Sequence, residues 1–357
     1  MPMDGVMLGF VARELDSVLR DGRVDRVIQP EKDEIHLLIR AGGANHRLVL
    51  SASASAARAH LSSHAKTGPM EPPMLCMLLR KYLCGGRVLS VQRIAGDRIL
   101  KIDISNLSEL GDPVTRTLII EIMGRHSNII LCAADGRIID AARHVGQDIS
   151  RVRQVMPGLP YAYPPSQGKL DPDTATSAAI AASLIAAGGK LDKAIGASIA
   201  GFSPQAAREA AARIGLDGSS LIADIDVQQA ADAYLRTMPT LSPCVVTLDD
   251  TDAPTDVFPF PQTHLSMAHI REFDSPSAAL DAYFYERDRR DRLNQRSASL
   301  AHTLKNHIER CEKKIAIQNE ALEGAARMEE YRQYGELLQA NLYRLQKGEP
   351  TAVVENY

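Results

Sequence analysis

Tryptophan is absent from this chain, and all aromatic residues together make up 4% of its 357 residues. Its interior must therefore rest on aliphatic side chains. These are plentiful, because 45% of the residues are hydrophobic, enough for a sizeable core and for two or three domains. The five cysteines (76, 84, 132, 244 and 311) form no CxxC pair. That spacing argues against a zinc site, and an odd, scattered set argues against a disulfide framework, so no metal or other cofactor is expected and the compartment is a reducing one. A one-sided charge is also missing: 41 Lys and Arg stand against 44 Asp and Glu, which removes the global basic signature of a nucleic-acid binder. There is no basic-then-apolar leader and no apolar run of membrane-spanning length. A cytoplasmic protein without a membrane partner is expected.

The near-neutral total hides an uneven distribution. Residues 80–159 carry 12 Lys and Arg against 8 Asp and Glu, whereas residues 171–257 carry 5 against 12. The first of these regions holds most of the strand-like sequence. "GVMLGFVARELDSVLR" (5–20) has apolar residues at helical spacing, and "DG" stops it. Short β-type runs follow, with "AGGAN" (41–45) as a hairpin connection. Pro72-Pro73 opens a second helix, "MLCMLLRKYL", which Gly85-Gly86 closes. Five further strands are expected between residues 87 and 143, with Asp135-Gly136 as a tight turn between the last two. Residues 1–172 thus read as an α+β domain.

"MPGLPYAYPPSQGKLDP" (156–172), rich in Pro and Tyr, reads as a boundary. Residues 173–240 then read as an all-α, Ala-rich insertion. In it Gly201 ends one helix, while Ser203 and Pro204 suit the N-cap and first position of the next. This is a helix-hairpin-helix pattern. It either binds a phosphate at the second helix's N-terminus or is a packing module, and the acidic charge here favours packing. Residues 241–276 return to strand character and to the first domain. From 277 to 357 the sequence becomes a charged helical arm, with Leu304, Ile308, Cys311, Ile315, Leu322 and Ala325 at coiled-coil spacing and Gly324 as a candidate break.

Six segments, in order, resemble the NFACT family: "MPMDGV" at the start, "LRKYLCGGRV" (79–88), "GDRIL" (96–100), "SELGD" (108–112), "EIMGRHSNIIL" (121–131) and "YGELLQANLY" (334–343). Bacterial members also carry an older label, fibronectin-binding protein. The resemblance implies an NFACT-N domain similar to the N-terminal domain of formamidopyrimidine-DNA glycosylases, with the helix-hairpin-helix insertion and the outgoing half of a coiled coil. The returning arm and the NFACT-R domain of longer members would follow. It further implies a ribosome-associated quality-control factor. Such a factor binds large ribosomal subunits obstructed by peptidyl-tRNA and recruits tRNA, alanyl-tRNA in bacteria, for template-free tailing of the stalled chain. Peptide bond formation is then the ribosome's, so no catalytic residue is expected and the protein's share is positioning. A fibronectin-binding surface protein and a glycosylase relative without activity are the competing readings.

The family likeness assigns tRNA binding to Asp97 and Arg98 and to Glu121, Ile122 and Met123, with Arg125, His126, Ser127 and Asn128 alongside. Arg98 can grip a phosphate or stack on a base, and Asp97 can accept from a ribose or a base amine. Without the resemblance the pair is an ordinary turn, "EIM" is strand core, and His126 is a structural histidine. In the second stretch Gly124 frees the backbone and Arg125 suits a phosphate, a chemistry fitted to single-stranded or loop RNA. Arg80 and Lys81 either add positive field or form a solvated helix face. Glycosylases of the related fold use an N-terminal proline amine followed by glutamate. Here Pro2 is followed by Met3, and Asp4 is one position out of register, which removes the proton-transfer partner. A weak homodimer through the apolar stripe of the arm is also expected.

Overall fold

The computed structural model describes residues 3–165, 167–237, 244–263 and 269–356, so the expectation for Pro2 lies outside the described residues. Residues 1–288 form one compact unit and 289–357 another.

The first unit begins with helix α1 (Gly5–Leu19). Asp4, in extended conformation, caps it by accepting from the Met7 amide at 2.9 Å, which satisfies one of the donors a helix start leaves open. Strands β1 (Arg23–Glu31), β2 (Glu34–Ala41), β3 (Ala44–Ser51) and β4 (Arg58–Leu61) follow, then helix α2 (Met74–Leu83). Next come β5 (Arg87–Arg93), β6 (Ile99–Leu107), β7 (Pro113–Glu121), β8 (Asn128–Cys132) and β9 (Ile138–Ala141). All nine strands share one antiparallel sheet in the order β4-β3-β2-β1-β5-β6-β7-β8-β9. The β2–β3 turn has positive φ at both Gly42 and Gly43, +56° and +82°, the geometry a two-residue hairpin requires.

One strand in this sheet was not foreseen. β4 reads Arg58-Ala59-His60-Leu61, an alternation of only four residues, and its polar positions Arg58 and His60 are buried as well as Ala59, which a half-exposed strand pattern would not suggest. At the other end, β8 is buried at all five positions. Ile129 and Leu131 enter the main core with α1, α2 and the first turns of the long C-terminal helix. Ile130 and Cys132 enter a smaller cluster with Ile99, Ile119 and Val155 on the opposite face. A strand covered on both sides needs no polar face.

Four helices follow: α3 (Ser177–Ala187), α4 (Leu191–Ser198), α5 (Pro204–Arg213) and α6 (Val227–Thr237). Ser203 caps α5 by accepting from the Ala206 amide at 3.2 Å, with Pro204 at the first position. A three-stranded sheet comes next, in the order β11 (Pro254–Phe258), β10 (Cys244–Leu248), β12 (Ile270–Phe273). Cys244, Val246 and Val257 join the main core, while Phe260 joins the core of the helical module. α1 also serves both: Met7, Leu8, Val11, Leu15 and Leu19 face the sheet, and Val6 and Phe10 face the helices.

Helix α7 (Pro276–Ala340) starts in the first unit, where Ala279, Leu280, Tyr283 and Phe284 are buried. The second unit continues it through Gly324, which does not break it. A single glycine costs about 1 kcal/mol in a helix interior, too little to stop a helix of such length. Leu304, Ile308, Ile315 and Leu322 are exposed there. No helix among the described residues is long and apolar enough to cross a membrane.

Candidate nucleic-acid interface

The β5–β6 connection places Asp97 and Arg98 at one end of the large sheet. Ala95 (φ +46°) and Gly96 (φ +68°) turn the chain sharply. Asp97 closes the turn, its amide donating to the Ile94 carbonyl at 2.9 Å and its carboxylate accepting from the Arg98 amide at 2.7 Å. Both side chains are partly exposed. The Arg98 carbonyl accepts from the Ile122 amide at 2.8 Å. The two groups of candidate residues, 24 positions apart, are thus hydrogen-bonded neighbours.

The second group divides by burial. Ile122 is 0% exposed and lies in the main core. Glu121 is 2% exposed. It accepts from Arg153 Nη1 at 3.0 Å, from Arg153 Nη2, and from the Tyr161 hydroxyl at 2.7 Å. Burial, and then the Glu121 carboxylate, push the Tyr161 hydroxyl far above the ordinary range. Ser127 accepts from the Met123 amide at 2.8 Å, and Asn128 bridges Ile129 to Arg143 through both its amide atoms. These four were expected to touch RNA. Their surfaces are instead turned inward, where they hold the loop's shape.

Arg125 and His126 are exposed, on a short 3-10 turn at Gly124–His126. Arg125 Nε donates to His126 Nε2 at 3.0 Å. Met123 is half-buried at the start of this turn. Beneath it, Arg143 donates to the Arg125 carbonyl at 2.9 Å and to the Ala52 carbonyl at 3.0 Å, tying the loop to the segment after β3, a strand near the far end of the sheet order. Arg80 and Lys81 are engaged elsewhere: Arg80 Nε donates to the Val27 carbonyl at 2.9 Å, and Lys81 pairs with Glu109 at 2.9 Å. Lys81 is thus paired with a carboxylate, whereas Arg80 keeps its charge while bonded to a backbone carbonyl.

Beside Asp97 the structure opens a cavity of about 310 Å³, lined also by Ile99, Tyr163, Lys169, Asp171 and Gly201. Tyr163 is 50% exposed and packs edge-on to Tyr161 with ring centroids 5.2 Å apart. An exposed ring, a lysine and a carboxylate around a partly apolar hollow can stack an unpaired base, hold its phosphate and accept its amine. Tyr163 and Lys169 come from the Pro- and Tyr-rich stretch read above as a boundary. Its tyrosines, in a chain so poor in aromatics, were the available signal.

A large antiparallel sheet, a four-helix module and a long C-terminal helix are combined in this one chain. The family described as NFACT N-terminal and middle domains matches residues 4–357, and the chain belongs to it. Among curated relatives, the Rqc2 homolog RqcH of Bacillus subtilis (strain 168) is 36% identical over 358 residues, covering 100% of this chain and 62% of that protein. RqcH of Streptococcus suis (strain 05ZYH33) is 32% identical over 363 residues, covering 100% and 61%. The chain therefore spans somewhat over three fifths of these relatives. Two solved structures are similar with a TM-score of 0.67, each over 80% of this chain and 99% of the other. They are the N-terminal part of the fibronectin/fibrinogen-binding protein from Streptococcus suis, 31% identical, and the fibrinogen binding protein from Staphylococcus aureus, 29% identical.

Proposed function

We propose that this chain is the tRNA-handling part of a cytoplasmic ribosome-associated quality-control factor. In this reading the factor binds large ribosomal subunits obstructed by peptidyl-tRNA. It recruits tRNA, alanyl-tRNA by family likeness, for template-independent C-terminal tailing. It is not itself an enzyme: the ribosome forms the bond, and the protein contributes by holding the tRNA in place. The observation that carries the reading is the convergence of Asp97, Arg98 and the exposed Arg125–His126 turn on one sheet end, beside a cavity able to take an unstacked base. The family membership and the RqcH relatives support this reading, and the ribosomal context belongs to the proposal.

The fibronectin-binding reading rests on an older family label and on the name of a solved relative. Curated relatives of like identity carry the name Rqc2 homolog RqcH. Glycosylase chemistry finds no support in the residues: Met3 is buried where the related enzymes have glutamate, and the Asp4 carboxylate is engaged with Met7 and Ser203.

The test is Asp97→Ala with Arg98→Ala, assayed by filter binding to deacylated tRNA at fixed salt. The loss of one turn hydrogen bond costs the fold about 1 kcal/mol, while the loss of a charged RNA contact costs about 1.5–3 kcal/mol of binding. Unchanged affinity in a folded variant sinks the assignment.

A further inference from the structure

A helix-hairpin-helix module that binds nucleic acid offers a phosphate the N-terminus of its second helix. Here that end is already taken by an anion from elsewhere in the chain. Asp4 is nine-tenths buried and accepts from the Ser203 hydroxyl at 2.6 Å while capping α1 through the Met7 amide. Ser203 is the N-cap of α5. One carboxylate therefore serves two helix starts, 199 residues apart in sequence.

The backbone next to Asp4 is packed to the limit. The Gly5 amide donates to the Gly201 carbonyl at 2.8 Å, and the Gly5 carbonyl accepts from Arg93 at 2.6 Å. The same Arg93 pairs with Asp173. A Cβ on Gly5 would lie 2.3 Å from the Gly201 Cα, and one on Gly201 would lie 2.6 Å from the Gly96 carbonyl oxygen. A Cβ on Gly96 would meet Pro172 at 2.4 Å and Ala200 at 3.1 Å. Three glycines, from α1, the β5–β6 turn and the helical hairpin, thus meet with no side chain between them. Gly201 and Ala200 of the hairpin line the same cavity as Asp97 and Ala95 of the turn.

We propose that Asp4 is a positioning residue: its carboxylate stands in for a bound phosphate at the helical hairpin and locks that hairpin against the Asp97–Arg98 turn, setting the width of the cavity between them. The hairpin is then a fixed wall and not a second nucleic-acid contact. The acidic charge of residues 171–257 agrees with a module that faces protein and not phosphate. The functional half of this inference rests on the proposed tRNA role of Asp97. The structural half does not.

The experiment compares wild type, Asp4→Ala, Asp4→Asn, Asp97→Ala and the Asp4→Ala/Asp97→Ala pair. Hydrogen–deuterium exchange is read at residues 198–206 and at 95–98, with β6 and β7 as the folded reference. Affinity is read with deacylated tRNA at fixed salt. Asp4→Ala should speed exchange in the hairpin and the turn, leave β6 and β7 protected, and weaken tRNA binding roughly tenfold, the kind of loss a small misplacement produces. Asp4→Asn can keep the bond from the Met7 amide through its one acceptor oxygen, but its amide nitrogen meets the Ser203 hydroxyl as a donor and the charge is gone, so it should restore both readings only in part. In the Asp97→Ala background the loss of Asp4 should add little, because it acts through the same cavity.

Unchanged hairpin exchange in Asp4→Ala overturns the lock. Faster exchange with unchanged affinity, while Asp97→Ala does weaken binding, overturns the positioning role alone. If Asp97→Ala leaves tRNA binding intact, the tRNA reading of the cavity falls and the positioning role falls with it, whereas the exchange result still decides the lock.

Discussion

Glu121 separates a structural role from an RNA contact more sharply than any other candidate residue. Its carboxylate is 2% exposed and is held by Arg153, whose side chain is 14% exposed, and by the Tyr161 hydroxyl. Glu121→Gln keeps the shape and removes the charge, leaving the Arg153 guanidinium buried without its counter-ion. Breaking a buried pair in this way costs about 3–5 kcal/mol. Arg153 retains a hydrogen bond to the Ala162 carbonyl at 2.5 Å and some water access, so the lower end, about 3 kcal/mol, applies. For a unit of this size each kcal/mol lowers Tm by about 2–4 °C, giving a fall of roughly 6–12 °C. Calorimetry measures this directly. Filter binding, run at a temperature where both proteins are folded, should show tRNA affinity within about threefold of wild type, since the carboxylate faces inward. The double variant Glu121→Gln/Arg153→Leu should recover much of the stability, because an apolar replacement of a buried pair is often neutral. A Glu121→Gln protein with unchanged Tm and lost tRNA binding would refute the reasoning and return Glu121 to the RNA surface.

Acid should weaken the first unit in two stages. Burial alone would raise Glu34, but His36, Arg58 and Lys66 bring it down to about 2 from an ordinary 4.5, so its contribution of about 3 kcal/mol is complete above pH 4.5 and lost as the pH falls toward 2. Burial holds His60 below its ordinary 6.5, so the unfolded chain takes up that proton first and stability begins to fall below pH 6.5. Urea titrations between pH 3 and 8 should show both slopes, and a flat profile would contradict the assignment. The arm should pair weakly with a second copy, antiparallel. Residues 289–314 carry 8 basic against 3 acidic side chains, and 315–340 carry 2 against 5, so each half of one arm complements the other half of its partner. Sedimentation equilibrium should show a concentration-dependent dimer that Ile308→Asp with Ile315→Asp abolishes, and a strictly monomeric chain would end the idea.

Local patterns carried much of this protein. Apolar spacing and a following "DG" marked α1, paired glycines marked the β2–β3 hairpin, and Ser203-Pro204 marked the start of α5, because each depends on residues a few positions apart. The candidate turn at Asp97–Arg98 was also legible, through its resemblance to a family. What the sequence left undecided depends on groups brought together from afar. β4 pairs with β3, and its buried Arg58 is neutralised by Glu34 and by Asp288, the latter from 230 residues away. Glu121 and Asn128 read as polar loop chemistry until Arg153, Tyr161 and Arg143 close over them. Asp4 looked like a residue one step out of register, and its partner Ser203 lies on another module. Gly324 promised a break that the rest of a long helix overrode. Periodicity and turn chemistry are properties of a short stretch of backbone and survive in one dimension. Burial is not: whether a carboxylate or an arginine faces water or a counter-ion is set by which distant segments pack over it, and that exists only once the chain has folded.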